Sequence, residues 1–394
     1  MTKFLLKFFS ISCIISGIII SFYFFLKIDK EYNIDLKNST LMAETGQVGD
    51  FIGGIVGTIF SLAGFLILIL TLSEQTKFVY KERFESKFFD LLKIHRENIQ
   101  EMSSNSKSGR KELHDIFSQF LKCKQEIMFF FKKKKEYHIY KNDYLLKLKK
   151  SLLITNKNIN VITLAKLNIP YIIIFYGLSS EGKEAIKDQF KNKYHPEFYE
   201  PILDFLAMKP IKESKYFNNW KVLHGIADKQ NRKRAFEVIR ILRNNPNYKD
   251  DGYPNIIDKV EKNIYPNNYI KFYGGHQYKL GHYFRHLFQT FTFINEEKKM
   301  SRQEKYFYAK TLRAQLSTSE QLLLFINSIS HLGLVWDLSP KIQKRKIDFF
   351  YNKRIKNKRL ITNYNLVKNL PSQSIFGIKY KEFYPDVKYE IEGD

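Results

Sequence analysis

The chain reads as an all-α protein: two N-terminal transmembrane helices followed by a mainly helical cytosolic domain. Three observations carry that expectation. The stretches Phe8 to Leu26 and Phe51 to Leu72 contain no charged residue, and each reaches the roughly 20 residues a helix needs to cross a ~30 Å hydrocarbon layer. Beyond them, apolar residues recur at three- and four-residue intervals with charges between, the period of a helix with one buried face. Two Ser-x-x-Glu signatures, at Ser301 and Ser317, mark helix starts as capping boxes.

The first apolar stretch follows a basic segment, Met1 to Lys7, as a signal peptide would. It is longer than the ~7–15-residue core of such a peptide and ends without an Ala-x-Ala site, so a retained helix is expected. Lys3 and Lys7 precede it, and the loop from Lys27 to Asp50 sets three Lys against five acids. Lys77, Lys81, Arg83 and Lys87 follow the second stretch. Excess Lys and Arg stay on the cytoplasmic side. The expectation is a multi-pass protein of the cell membrane with both termini cytoplasmic. Its parts are an anchor over 1–75 (spans at about 8–26 and 51–72), a helical domain over 76–340, and a basic helix and tail over 341–394.

Gly49, Gly53, Gly57 and Ser61 repeat every four residues along the second span. Small residues stacked on one face let another helix approach closely. That partner is a second copy of the chain or the chain's own first span, with self-association slightly preferred. The helical period continues through Phe78, Phe84, Phe88, Leu91, Leu92 and Ile99, breaks over 103–109, and resumes from Lys111 to Phe131. The Lys132–Lys135 run is most simply a solvated face or turn, with lipid contact the lesser reading. Tyr171 to Gly177 is a buried element, helix or strand, and Ser179 opens a helix. Pro196–Pro210 and Asn244–Asn268 are turn-rich connections. Tyr364 to Asp394 is a strand pair or a loose tail.

Lys and Arg number 65 against 40 Asp and Glu, a net charge of +25. Such a field attracts anionic lipid or nucleic acid, and a Lys-, Ile- and Asn-rich coding bias explains it equally well. Cys13 and Cys123 are too few for a disulfide framework or a Cys-based metal site. No cofactor is expected.

Candidate chemistry concentrates between Tyr269 and Trp336. After Gly281, a helix would put His282, Arg285, His286 and Gln289 on one polar stripe, with Phe284, Leu287, Phe288 and Phe291 toward the core. Two His at i, i+4 suit a metal, but no acid completes the set and none is assigned. No catalytic residue is assigned either; His282, Arg285 and His286 are the candidates. Arg313, Gln315, Glu320 and Asn327 form a clasp at a helix junction, read as structural ahead of functional. A buried Arg313 must be paired, with Glu320 or with helix-end carbonyls. From Lys341 to Arg359 a basic and aromatic stretch, including Lys344, Arg345, Lys346, Arg354 and Arg359, suits an anionic leaflet or an RNA backbone. The default is an exposed helix face.

A family resemblance rests on the same region. Gly281-His282-Tyr283-Phe284-Arg285, then Tyr308-Ala309-Lys310-Thr311-Leu312-Arg313-Ala314-Gln315-Leu316-Ser317, then Glu320 and Leu323-Leu324-Phe325-Ile326-Asn327 resemble the phage abortive infection proteins of the AbiC type. Phe88-Phe89-Asp90-Leu91-Leu92-Lys93-Ile94-His95 and Gly109-Arg110-Lys111 extend it. Ile326 departs from the aromatic expected before Asn327. The resemblance implies antiphage defence in which infected cells die or stop growing, and it leaves the biochemistry open.

Two mechanisms follow. One is a non-catalytic membrane effector, with the lipid bilayer as partner, a homo-oligomer through the second span, and a phage component as trigger. The other is a membrane-tethered, metal-independent ribonuclease or RNA-binding effector. The Arg-x(4–6)-His motif of HEPN ribonucleases is absent ahead of all nine histidines, which favours the first.

Overall fold

A computed structural model describes residues 2–32, 46, 49–50, 52–103, 108–154, 159–248, 254–337, 359–370, 374 and 376–390. The chain divides into two compact units, Met1–Asp90 and Leu91–Asp394. Every regular element among the described residues is a helix, and β structure is confined there to two isolated bridges, Tyr140 with Tyr194 and Pro210 with Lys271.

In the first unit α1 spans Thr2–Tyr32. A π-helical turn, Ile52–Val56, leads into α2, Gly57–Glu101, within which the unit boundary falls. Both helices are long and apolar enough to cross a membrane, and only 11 % of each apolar window is buried. Ser10 and Gly17, two turns apart on α1, are buried, as are Val56 of the π-helical turn and Ala63 of α2. The Phe60 ring lies 3.0 Å from where a Gly17 Cβ would stand, so Gly17 admits that ring. Nothing approaches within 4 Å of the corresponding positions at Gly49, Gly53 and Gly57, and Ser61 is exposed.

The second unit continues with α3 (Gly109–Ile127), a 3₁₀ turn (Met128–Phe131), α4 (Glu136–Ile139) and α5 (Asn142–Ile154). At its centre is α6, Val161–Tyr176, with 12 of its residues buried. A helix apolar all round belongs in a core, and α3, α7 (Ser180–Phe190), α12 (Gln277–Glu296) and α14 (Thr318–Ile329) pack around this one. The remaining helices are α8 (Pro196–Ala207), α9 (Phe217–His224), α10 (Lys229–Asn244), α11 (Pro254–Glu261), α13 (Arg302–Arg313) and α15 (Leu360–Asn363). Both capping boxes form: the Ser301 and Ser317 hydroxyls accept from Glu304 N and Glu320 N, and each Glu reaches back to its Ser N–H.

One open reading is resolved and several expectations need correcting. Tyr171 to Gly177 resolves as the last turns of α6 and its Gly177 cap. The segment from Pro196 is mostly helix. Pro196 occupies the first turn, where no N–H is needed, and burial of Phe198, Tyr199, Ile202, Leu203 and Leu206 outweighs the backbone bond lost at Pro201. A helix also forms at Pro254–Glu261, inside the second supposed connection. Gly281 lies within α12, which starts a turn earlier than read. The described residues after Tyr364 are neither strand pair nor loose tail. Tyr380, Phe383 and Tyr384 bury their rings against Phe325 of α14, and the Tyr384 hydroxyl meets Ser328 Oγ at 2.7 Å.

Candidate functional site

Four helical segments of the second unit converge on one carboxylate. Glu320, at the N-terminus of α14, is fully buried. One oxygen accepts from Ser317 N (2.8 Å) and the other from the Tyr283 hydroxyl of α12 (2.9 Å). Arg110, in the first turn of α3, brings Nε to 3.8 Å, and its Nη2 donates to the Gln315 carbonyl at 3.1 Å. Beside it, His114 Nδ1 lies 3.1 Å from Ser319 Oγ. The α14 dipole adds to this setting, because a helix N-terminus favours negative charge.

His95, from the α2 segment that belongs to this unit, completes the cluster. Its Nε2 is 3.9 Å from Glu320 Oε1, beyond hydrogen-bond reach, and neither ring nitrogen has a partner within that reach. The ring lies 5.5 Å from Tyr283 and stacks at 6.3 Å on His286. Burial, then the neighbouring His286, Arg110 and Arg96, hold its pKa down to about 4. At neutral pH His95 is uncharged and makes no ion pair with Glu320. Burial and the adjacent Glu320 push the Tyr283 phenol well above its usual range, so it remains a donor.

His286 Nε2 lies 3.0 Å from the Leu91 carbonyl. A carbonyl only accepts, so that nitrogen carries the hydrogen. Burial lowers the His286 pKa, the Leu91 bond raises it, and His282 lowers it again. His282, Arg285 and Gln289 stand exposed on α12. His286 alone of the three catalytic candidates therefore reaches the cluster.

The supposed clasp is three separate ties. Arg313 is buried and donates Nη1 to the carbonyls of Tyr364 and Asn365, both at 3.0 Å, at the end of α15. Its partners are thus carbonyls, and Glu320 is held elsewhere. Gln315 contributes its carbonyl to Arg110. Asn327 donates to the Tyr171 hydroxyl of α6 (2.8 Å) and accepts from Trp336 Nε1 (3.1 Å). Lys344, Arg345, Lys346 and Arg354 lie outside the described residues; Arg359 pairs with Asp386 at 2.6 Å.

Chemically the cluster is an anchor. A carboxylate with no exposed surface, hydrogen-bonded by a backbone N–H and a phenol and with a guanidinium beside it, ties together the helices that supply those groups. Among the described residues no three His, Cys, Asp or Glu side chains gather as a cation site. His95, Arg110 and Tyr283 carry no spacing signal that would have joined them to Glu320. Their only trace in the sequence was that all three fall within the stretches that carry the family resemblance.

Residues 275–345 match the family model described as "Putative phage abortive infection protein". No curated protein and no solved structure matches the chain. The matched segment takes in α12, both capping boxes, α13, α14, Glu320 and Trp336.

Proposed function

We propose that this chain, which along residues 275–345 is of the phage abortive infection family and so serves in phage defence, is a membrane-anchored effector. In this reading it arrests or kills the infected cell by acting at the bilayer, with both termini in the cytoplasm and a phage component as trigger. The supporting observation is the open glycine face. Nothing lies within 4 Å of where a Cβ would stand at Gly53 or Gly57 and Ser61 is exposed, while the first span is seated through Gly17 and Phe60 instead. In lipid, a face of small residues favours close helix association, so a second copy of the chain is the partner adopted here.

A potential-sensitive dye followed during phage infection tests the proposal. Depolarisation should accompany arrest, and a Gly53→Leu/Gly57→Leu chain should stay in the membrane fraction yet neither depolarise nor protect. Arrest with full polarisation would overturn it. A tethered ribonuclease at His282, Arg285 and His286 has less support, because His286 Nε2–H is committed to the Leu91 carbonyl. Fragmented RNA in arrested cells, lost on His286→Ala, would favour that reading instead.

A further inference from the structure

Apart from the Glu320 cluster, the second unit holds an open groove of about 550 Å³ lined by lysines from two segments. Lys132, Lys133 and Lys134 come from the loop after the 3₁₀ turn, and Lys229 and Lys233 from the start of α10. Phe129 and Phe130 line it between them, half-buried, with ring centroids 4.2 Å apart.

The loop is held in place. Lys132 N donates to Phe129 O and Lys134 N to Phe131 O, each at 3.2 Å. Lys133 sits at φ +60°, in the left-handed region that a lysine rarely adopts. Two acids also line the groove, Glu197 and Asp228. The Asp228 carboxylate is engaged as the α10 cap, accepting from Asn231 N at 2.7 Å. Lys233 pairs with Glu237 at 3.5 Å. Among the described residues no carboxylate lies within ion-pair reach of Lys132, Lys133, Lys134 or Lys229.

A merely solvated lysine run has no reason to share the lining of one hollow with a second set of lysines and two phenyl rings. Ammonium groups take phosphate, aromatic faces take bases, and hollows of roughly 300–1,000 Å³ hold small ligands. We propose that this groove binds a nucleotide ligand, with phosphates on Lys132, Lys133, Lys134 and Lys229 and a base against Phe129 or Phe130. The source is a free nucleotide or a short run of single-stranded RNA. This site is independent of the membrane mechanism.

The test uses the full-length chain in detergent micelles and a fluorescein-labelled octauridylate, read by anisotropy against salt. The variant Lys132→Gln/Lys133→Gln/Lys134→Gln should lose at least about tenfold in affinity and about 2 units of salt slope, near 0.7 for each phosphate contact removed. Lys298→Gln/Lys299→Gln, exposed elsewhere, should bind as the parent does. Displacement of the probe by millimolar ATP supports a free nucleotide, and resistance to ATP supports the strand; either upholds the proposal. Retained binding in the triple variant overturns it. So does tripolyphosphate competing as well as ATP, which removes the role of the rings. Capture by phosphatidylserine vesicles without octauridylate binding would also overturn it, in favour of a lipid surface.

Discussion

Buried charge in the second unit is organised around single side chains, and their removal should be costly in proportion to what they leave behind. Arg313 satisfies two carbonyls at the end of α15. Arg313→Ala should therefore destabilise the chain by about 2–4 kcal/mol, because both acceptors lose a charge-assisted donor. Arg313→Lys, which keeps charge but not the fork, should fall between. Denaturant unfolding of the detergent-solubilised chain measures both. His95 makes stability depend on pH. Its folded pKa of about 4 lies below the ordinary 6.5, so between those values the unfolded chain binds the extra proton. The stability tied to neutral His95 is whole above pH 6.5 and drains as pH falls toward 4, by about 3 kcal/mol at ~1.4 kcal/mol per unit. His276, held to about 4 by burial first, acts in the same direction. His95→Gln should flatten the acid limb of a plot of unfolding midpoint against pH. An unchanged limb would show that His95 is not the group responsible.

Helix ends show how local chemistry and long-range contact differ in consequence. Ser301 caps α13 with a hydroxyl and is reciprocated by Glu304; Ser301→Ala should cost about 1 kcal/mol. Gly177, which ends α6, answers to a different constraint. It sits at φ +82°, and a Cβ there would lie 2.4 Å from the Gly274 carbonyl oxygen. The same backbones are joined by Leu178 N to Tyr273 O (2.8 Å) and His276 N to Phe175 O (2.9 Å). Gly177→Ala should thus cost more than Ser301→Ala, at least about 2 kcal/mol, since both strain and collision oppose it. Thermal shifts of the two variants side by side give the order. The caps were legible because a capping box is a four-residue pattern. The helicity of Pro196–Ala207 was not, because its prolines are local signals against a helix, and what outweighs them is apolar burial contributed by distant segments.

For the chain as a whole, the expected behaviour follows from two apolar helices with mostly exposed faces. Full-length protein should remain with membranes through alkaline carbonate and leave them only in detergent. Protease added outside intact cells should spare its C-terminus. Release into the soluble fraction, or external cleavage of that end, would contradict the anchored arrangement. Long apolar helices and helical periodicity were readable from the chain because each depends on a run of neighbouring residues, in which composition and spacing are the physics. The kinship of residues 281–327 was readable for the same reason, as contiguous motifs. What no local pattern could supply was assembly. Glu320 bonds Tyr283 with Arg110 and His95 beside it, Arg313 turns away to carbonyls near residue 365, and the lysines after Phe131 line one groove with those opening α10. Those groupings join segments remote along the chain, and a buried charge or an open groove is defined by every element that closes on it.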